Sequence, residues 1–235
     1  MLKEAERTYQ GLAMDRRVVQ RSSTRTGELQ LASVEAGTVT HFELIVNGVF
    51  LMATYNASSN RALIDTVMET SKSGRHINLL IGGLGLGISL RQALAYSNVR
   101  SVCVVELESR VVNWNRDYLD NADVLDDERT EMVVGDFYEY VQGNPRSYHG
   151  IALDIDNGPD WVVRPENRRA YSVSALQTLR TRLRPDGTLA IWSHAVNRSY
   201  ERALDRVFGG VSFQQTCDHS LTGKPLESVI YSVRA

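Results

Sequence analysis

The 235-residue chain reads as an α/β protein, a mostly parallel sheet with helices on both faces, preceded by a small antiparallel β module. Three observations predict this. From about residue 58 short apolar runs alternate with amphipathic stretches, the pattern of a parallel sheet covered on both sides. The first of those runs enters a glycine-rich turn, Gly82-Gly83-Leu84-Gly85-Leu86-Gly87, that opens a helix. Upstream, the apolar residues alternate at strand period around an Asn-Gly pair, which is hairpin chemistry.

The elements follow in chain order. Residues 1–20 read as a short helix or a loose arm. The basic run from Arg16 and Arg17 to Arg25 is broken by Ser and Thr and reads as solvated surface. Segments 29–34 and 41–46 alternate as strands, and Asn47-Gly48 turns the chain into a further strand, closing the module near Tyr55. Residues 1–56 therefore form an arm and β module, and 57–235 a second domain. There, helices are predicted over 60–71, 88–96, 110–119, 137–141, 172–183 and 200–208. Strands are predicted over 77–81, 101–105, 131–134, 150–153 and 188–192, with two more at 211–216 and 228–233. Pro185-Asp186-Gly187 reads as the turn before the fifth strand.

Composition excludes several classes. Lys and Arg (26) nearly balance Asp and Glu (28), so no nucleic-acid partner is expected. Cys103 and Cys217 provide no disulfide framework, which fits a reducing, cytoplasmic setting. The five histidines lack the short spacings of a zinc site, so no metal is expected. No apolar stretch is long enough to span a bilayer, and no membrane partner is expected.

The chemistry gathers at strand ends. Glycine in the 82–87 turn lets backbone approach a ligand, and the following helix start offers unpaired N–H groups. A dinucleotide fingerprint would put Ile88 where a small residue is wanted, so Gly-x-Gly-x-Gly favours another nucleoside. Glu106 ends the second strand, where an acid can accept both hydroxyls of a ribose; alone, it could equally be a solvated strand end. Gly135-Asp136-Phe137 ends the third and resembles the adenine clamp of AdoMet enzymes, which implies that Asp136 accepts from the exocyclic amine; Asp136 also reads as a cap on the next helix, and both can hold. The fourth ends in Asp154-Ile155-Asp156-Asn157-Gly158-Pro159-Asp160-Trp161. Asp154 is the candidate base toward an acceptor, provided burial or neighbouring acids raise its pKa. Asp156, Asn157 and Trp161 are secondary acceptor-side candidates; the polar turn also reads as a plain bend, and Trp161 either walls the pocket or packs under the loop.

These residues resemble the spermidine synthase (polyamine aminopropyltransferase) superfamily, built on the Rossmann-like class I methyltransferase fold. The resemblance rests on Leu80-Ile81-Gly82-Gly83, Val105-Glu106-Leu107-Glu108, Val134-Gly135-Asp136, Asp154 with Gly158-Pro159, and Leu183-Arg184-Pro185-Asp186-Gly187-Thr188-Leu189. It implies an S-adenosyl-L-methionine (AdoMet) or decarboxylated AdoMet site made by Gly82, Gly83, Gly85, Gly87, Glu106, Asp136 and Phe137. It also implies a homodimer.

The departures are on the acceptor side. The family's Gly-Gly-Gly-Asp-Gly has its acid where this chain has Gly85, and the second acid of its Asp-Ser-Ser/Thr-Asp falls at Asn157. Its polyamine-holding Asp-Glu and Tyr-His-Glu elements have no counterpart between Phe50 and Glu69. Losing those carboxylates removes the charge-assisted contacts that select a polycation. The reading is therefore an AdoMet-dependent transferase moving a methyl group to a small-molecule acceptor. Its alternatives are aminopropyl transfer from decarboxylated AdoMet to an atypical amine, or a non-catalytic nucleoside-binding module.

Overall fold

The computed structural model describes residues 14–69 and 76–235. The chain opens with four antiparallel strands in sequential order: β1 (Met14–Thr24), β2 (Gly27–Ala36), β3 (Val39–Val46) and β4 (Val49–Ala53). Asn47 and Gly48 both have positive φ (51° and 76°), which makes the β3–β4 connection the tight hairpin expected of that dipeptide. Strand β1 corrects the reading of residues 1–20 as a helix or loose arm, of which 1–13 lie outside the described residues. Its hydrophobic content is too low to signal a strand; pairing with β2 along almost its full length decides the conformation. Arg16 there pairs with Glu43 of β3, in the same sheet, at 2.8 Å.

Helix α1 (Ser58–Glu69) starts two residues before the predicted span, and Ser71, its predicted end, lies outside the described residues. The larger sheet then forms: β5 (Ile77–Gly82), α2 (Ile88–Leu94), β6 (Val99–Glu106), α3 (Ser109–Asp117), the short α4 (Ala122–Leu125), β7 (Thr130–Val134), α5 (Phe137–Gly143) and β8 (Tyr148–Leu153). A 3-10 turn (Pro165–Tyr171), α6 (Val173–Arg182), β9 (Leu183–Ser193), α7 (Arg198–Phe208), β10 (Ser212–His219) and β11 (Pro225–Arg234) complete it. The seven strands run β7-β6-β5-β8-β9-β11-β10, parallel from β7 to β9, with β11 and β10 added antiparallel. Pro185-Asp186-Gly187 is a bulge inside β9, not a turn before it: pairing with β8 jumps from Leu183 to Thr188, and Asp186 takes φ 64°.

Alternation along the parallel strands builds two cores. Leu79, Ile81, Val102, Val104 and Ala152 face α1, α2 and α3. Leu80, Cys103, Val105, Ile151 and Leu153 face α5, α6 and α7. Leu29, Leu31, Leu44 and Val46 of the β module join the first core, so the apolar face of that module is buried there. Asp218 of β10 accepts from the Ser58 and Ser59 N–H groups at 2.9 and 3.0 Å, satisfying two of the open donors at the start of α1. That cap comes from 160 residues away in sequence, which is why the helix begins earlier than its own periodicity suggests.

Candidate active site

Strand order reverses between β5 and β8, and open α/β sheets place ligands in the crevice at that point, beyond the carboxyl ends of the strands. The tips are held in register there: Asp154 N–H donates to Gly82 O, Gly83 N–H to Val105 O, and Gly135 N–H to Glu106 O, each at 2.9 Å. A pocket opens above them, floored by Gly83, Gly85, Glu106, Asp136 and Asp154 and roofed by Leu29, Leu44, Val46, Leu51 and Met52 of the β module.

The glycine loop is anchored by its intervening leucines, since Leu84 and Leu86 are buried in the first core. Gly83 has φ 92°, and a side chain there would collide with the Asp154 carbonyl. Gly85 has φ 52°, and its missing Cβ faces the Met52 thioether. These two glycines line the pocket. Gly82 and Gly87 do not: the first is packed against the Phe137 ring, the second against Asn121 and Asn115.

Glu106 is buried, and its two oxygens accept from Leu84 N–H and Glu108 N–H, both at 2.9 Å. It therefore braces the glycine loop as well as lining the pocket. Burial raises its carboxyl above the usual range, against the pull of those N–H donors and of Arg164. Asp136 caps α5 by accepting from Glu139 N–H at 3.0 Å and pairs with Arg169 at 3.1 Å. Phe137 belongs to the second core, packed on Gly82, although it also borders the pocket.

Asp154 accepts from Asn60 Nδ2 at 2.6 Å, and burial pushes its carboxyl up to about 6 while that bond pulls it down. The expected like-charge pressure from neighbouring acids is not the cause. Asp156 turns into its own loop, accepting from Asn157 N–H, Val163 N–H, Arg164 N–H and Asn167 Nδ2, and Asp160 is exposed. Asp156 is thus the organiser of the 157–167 loop although its residue borders the pocket. Trp161 is outside the pocket: it is 47% exposed and stacks edge-on against His194 at 5.1 Å. The pocket tryptophan is instead Trp192, at the end of β9.

Sequence reasoning missed four contributors. Asn60 and Met52 come from the N-terminal part of the chain. Glu108 and Arg164 form a buried ion pair at 2.8 Å, and Glu108 also accepts from the Thr24 and Thr26 hydroxyls of the β1–β2 turn. That cluster ties the module to the tip of β6. The one signal available was the acid two residues after Glu106; nothing local marks its partners.

The reversal point, the glycine cradle and the acids at the tips of β6, β7 and β8 define a Rossmann-like domain of the class I methyltransferase type. Residues 57–205 match the spermine/spermidine synthase domain. The chain belongs to that family. It is 30% identical over 146 residues to polyamine aminopropyltransferase 2 of Pseudomonas aeruginosa, covering 57% of this chain and 40% of that protein. It is 31% identical over 114 residues to the polyamine aminopropyltransferase of Sulfolobus acidocaldarius, covering 48% and 37%. The matched region thus spans only about two fifths of these relatives. The fold is similar to spermidine synthase from Thermotoga maritima, with TM-score 0.75 at 17% identity over 93% of this chain and 72% of that one. A spermidine synthase structure in complex with the transition-state analogue AdoDATO gives TM-score 0.76 at 18% identity, covering 93% and 73%. Both curated relatives are polyamine aminopropyltransferases by name, and neither lends support to the methyl-transfer expectation. No helix among the described residues is long and apolar enough to cross a membrane.

Proposed function

We propose that this chain is an aminopropyltransferase-type enzyme, using decarboxylated AdoMet as donor and an amine other than a long linear polyamine as acceptor. The observation that carries the reading is Asp154, a deep carboxylate beside the glycine cradle with its pKa raised to about 6. Family membership and the printed activities of the relatives support the donor.

The residues suit such a nucleoside. Gly83 and Gly85 leave room for close approach, and Glu106 and Asp136 offer acceptors at the adjoining strand tips. When bound, the donor supplies a sulfonium whose thioether is the leaving group. The acceptor nitrogen forms its bond to the propyl carbon as the carbon–sulfur bond breaks, and the amine proton passes to Asp154. A base with a pKa near 6 is largely ionised at neutral pH and still basic enough to help. Alignment of nitrogen and carbon is the protein's larger contribution in a displacement of this kind.

Gly85 favours a second reading, methyl transfer from AdoMet itself. The family acid that would meet the donor's ammonium is missing, and the Met52 thioether fills the place toward which it would project. Incubation with each donor and a mixture of amines, read by mass spectrometry, separates the cases. Methylthioadenosine release supports aminopropyl transfer, and S-adenosylhomocysteine release supports methyl transfer. Nucleoside binding without either product leaves a binding module.

A further inference from the structure

We infer that Asn60 is a second direct contact of the acceptor nitrogen: its Oδ1 accepts one amine N–H while Asp154 accepts the other, and the pair selects primary over secondary amines. The inference deepens the transferase reading and rests on it. Asn60 Nδ2 is committed to Asp154 Oδ2 at 2.6 Å, and the Asn60 backbone carbonyl accepts from the Ser89 hydroxyl at 3.4 Å. Asn60 Oδ1 and Asp154 Oδ1 have no hydrogen-bond partner among the described residues. Neither is one of the orphaned polar atoms sealed from solvent, which are Asn157 Nδ2, Tyr171 Oη, Trp192 Nε1 and Tyr200 Oη. Both oxygens therefore keep open surface, and both residues border the pocket. Asn60 is only 6% exposed, and the second cavity, although it touches Ala57 and Arg61, does not include it.

An amide oxygen and a carboxylate oxygen both accept, and joined through a hydrogen bond they form a fixed pair suited to two N–H groups on one atom. A neutral primary amine brings two N–H groups and a lone pair, whereas a secondary amine brings one N–H. The lone pair forms the nitrogen–carbon bond as the carbon–sulfur bond breaks, and the thioether leaves with that electron pair. The nitrogen is then an ammonium that keeps both original hydrogens. One passes to Asp154; the other stays on nitrogen, held by Asn60 Oδ1. The product has a single N–H and cannot fill both acceptors, which disfavours a second transfer. The other pocket carboxylates are engaged elsewhere. Glu106 is held by the glycine loop, Glu108 by Arg164, Asp136 by the start of α5 and Arg169, and Asp156 by its own loop. Glu166 stands exposed at the rim, where solvent screens its charge.

The test gives the full chain decarboxylated AdoMet, or AdoMet, with two pairs of amines: putrescine against N,N′-dimethylputrescine, and butylamine against N-methylbutylamine. Transfer is read by mass spectrometry as release of methylthioadenosine or S-adenosylhomocysteine. In at least one pair kcat/KM for the primary amine should exceed that for the secondary by about tenfold or more, the worth of a hydrogen bond whose loss leaves an acceptor unfilled. Asn60→Leu keeps the volume, so it does not relieve crowding of an N-methyl group, but it removes the oxygen; the ratio should fall to about threefold or less. Asn60→Ala, well suited to a helix, is read in the same way where Asn60→Leu does not fold. Asn60→Asp keeps an oxygen and loses the donor to Asp154, so its rates should drop while the ratio survives. A ratio near one in the unaltered protein overturns the inference, as does a ratio lost in Asn60→Asp. A ratio unchanged in the Leu and Ala variants, with both amines slowed alike, also overturns it and makes Asn60 only a brace for Asp154. If methylthioadenosine binds but none of the four amines is modified, the inference fails and the nucleoside site stands. Failure of methylthioadenosine itself to bind removes the transferase reading and this inference together.

Discussion

Asn60 Nδ2 donates to Asp154 Oδ2 across 2.6 Å, joining the first turn of α1 to the carboxyl end of β8. The helix end that carries Asn60 is itself held by Asp218 from β10, so three distant parts of the chain place one carboxylate. Asp154 is thereby oriented without a cationic partner, and its pKa remains raised.

Asp154→Asn should preserve nucleoside affinity and lower turnover by roughly 10²–10⁴-fold, the usual worth of general acid–base help. The rate of the unaltered enzyme should fall as pH drops below about 6, where Asp154 becomes protonated. Stability should move the opposite way. A carboxyl raised from 3.8 to about 6 favours folding below its unfolded pKa, and that contribution is lost as pH rises through the folded value. Relative to Asp154→Asn, the unaltered protein should therefore lose up to about 3 kcal/mol between acidic and neutral pH, at ~1.4 kcal/mol per unit. Urea titrations of both proteins at about pH 4 and 7 measure it.

Glu106→Gln should weaken binding of methylthioadenosine by about 1.5–3 kcal/mol, the range for hydrogen bonds to a charged group. Because Glu106 also accepts from Leu84 N–H and Glu108 N–H, the variant should melt at lower temperature without ligand. Calorimetry and thermal melts read the two effects separately. Lower stability with unchanged affinity would make Glu106 a loop brace alone.

Arg164→Met leaves Glu108 buried without its partner guanidinium and should cost about 3–5 kcal/mol. Adding Glu108→Gln should restore a large part of that loss, because the stranded charge is gone. Denaturation of the single and double variants gives the coupling energy. Additive losses would mean that the Thr24 and Thr26 hydroxyls already satisfy Glu108.

Gly85→Asp alone should not create an ammonium site, because the new side chain runs into the Met52 thioether. Asp tolerates the left-handed backbone better than most residues, so the obstacle is space more than φ. Paired with Met52→Ala, the same change should increase affinity for decarboxylated AdoMet over AdoMet by about tenfold, or ~1.4 kcal/mol. Competition binding with the two donors checks it, and an unchanged ratio would place the donor's tail elsewhere.

Periodicity and turn chemistry by themselves determined the layered α/β architecture, the Asn47-Gly48 hairpin, the glycine loop and the strand-tip acids, since each is encoded by residues within one or two turns of chain. The strand character of residues 14–24 was not legible, because its cause is the ladder with β2 and not its own side chains. Nor were the different roles of Asp154 and Asp156, two residues apart in a polar stretch. One is set by an asparagine on a distant helix, the other by backbone N–H groups of the loop it closes. The exchange of Trp161 for Trp192 has the same origin. A sequence gives the order of groups along a chain, whereas burial, hydrogen-bond partners and pKa depend on which segments meet, and only the tertiary structure decides that.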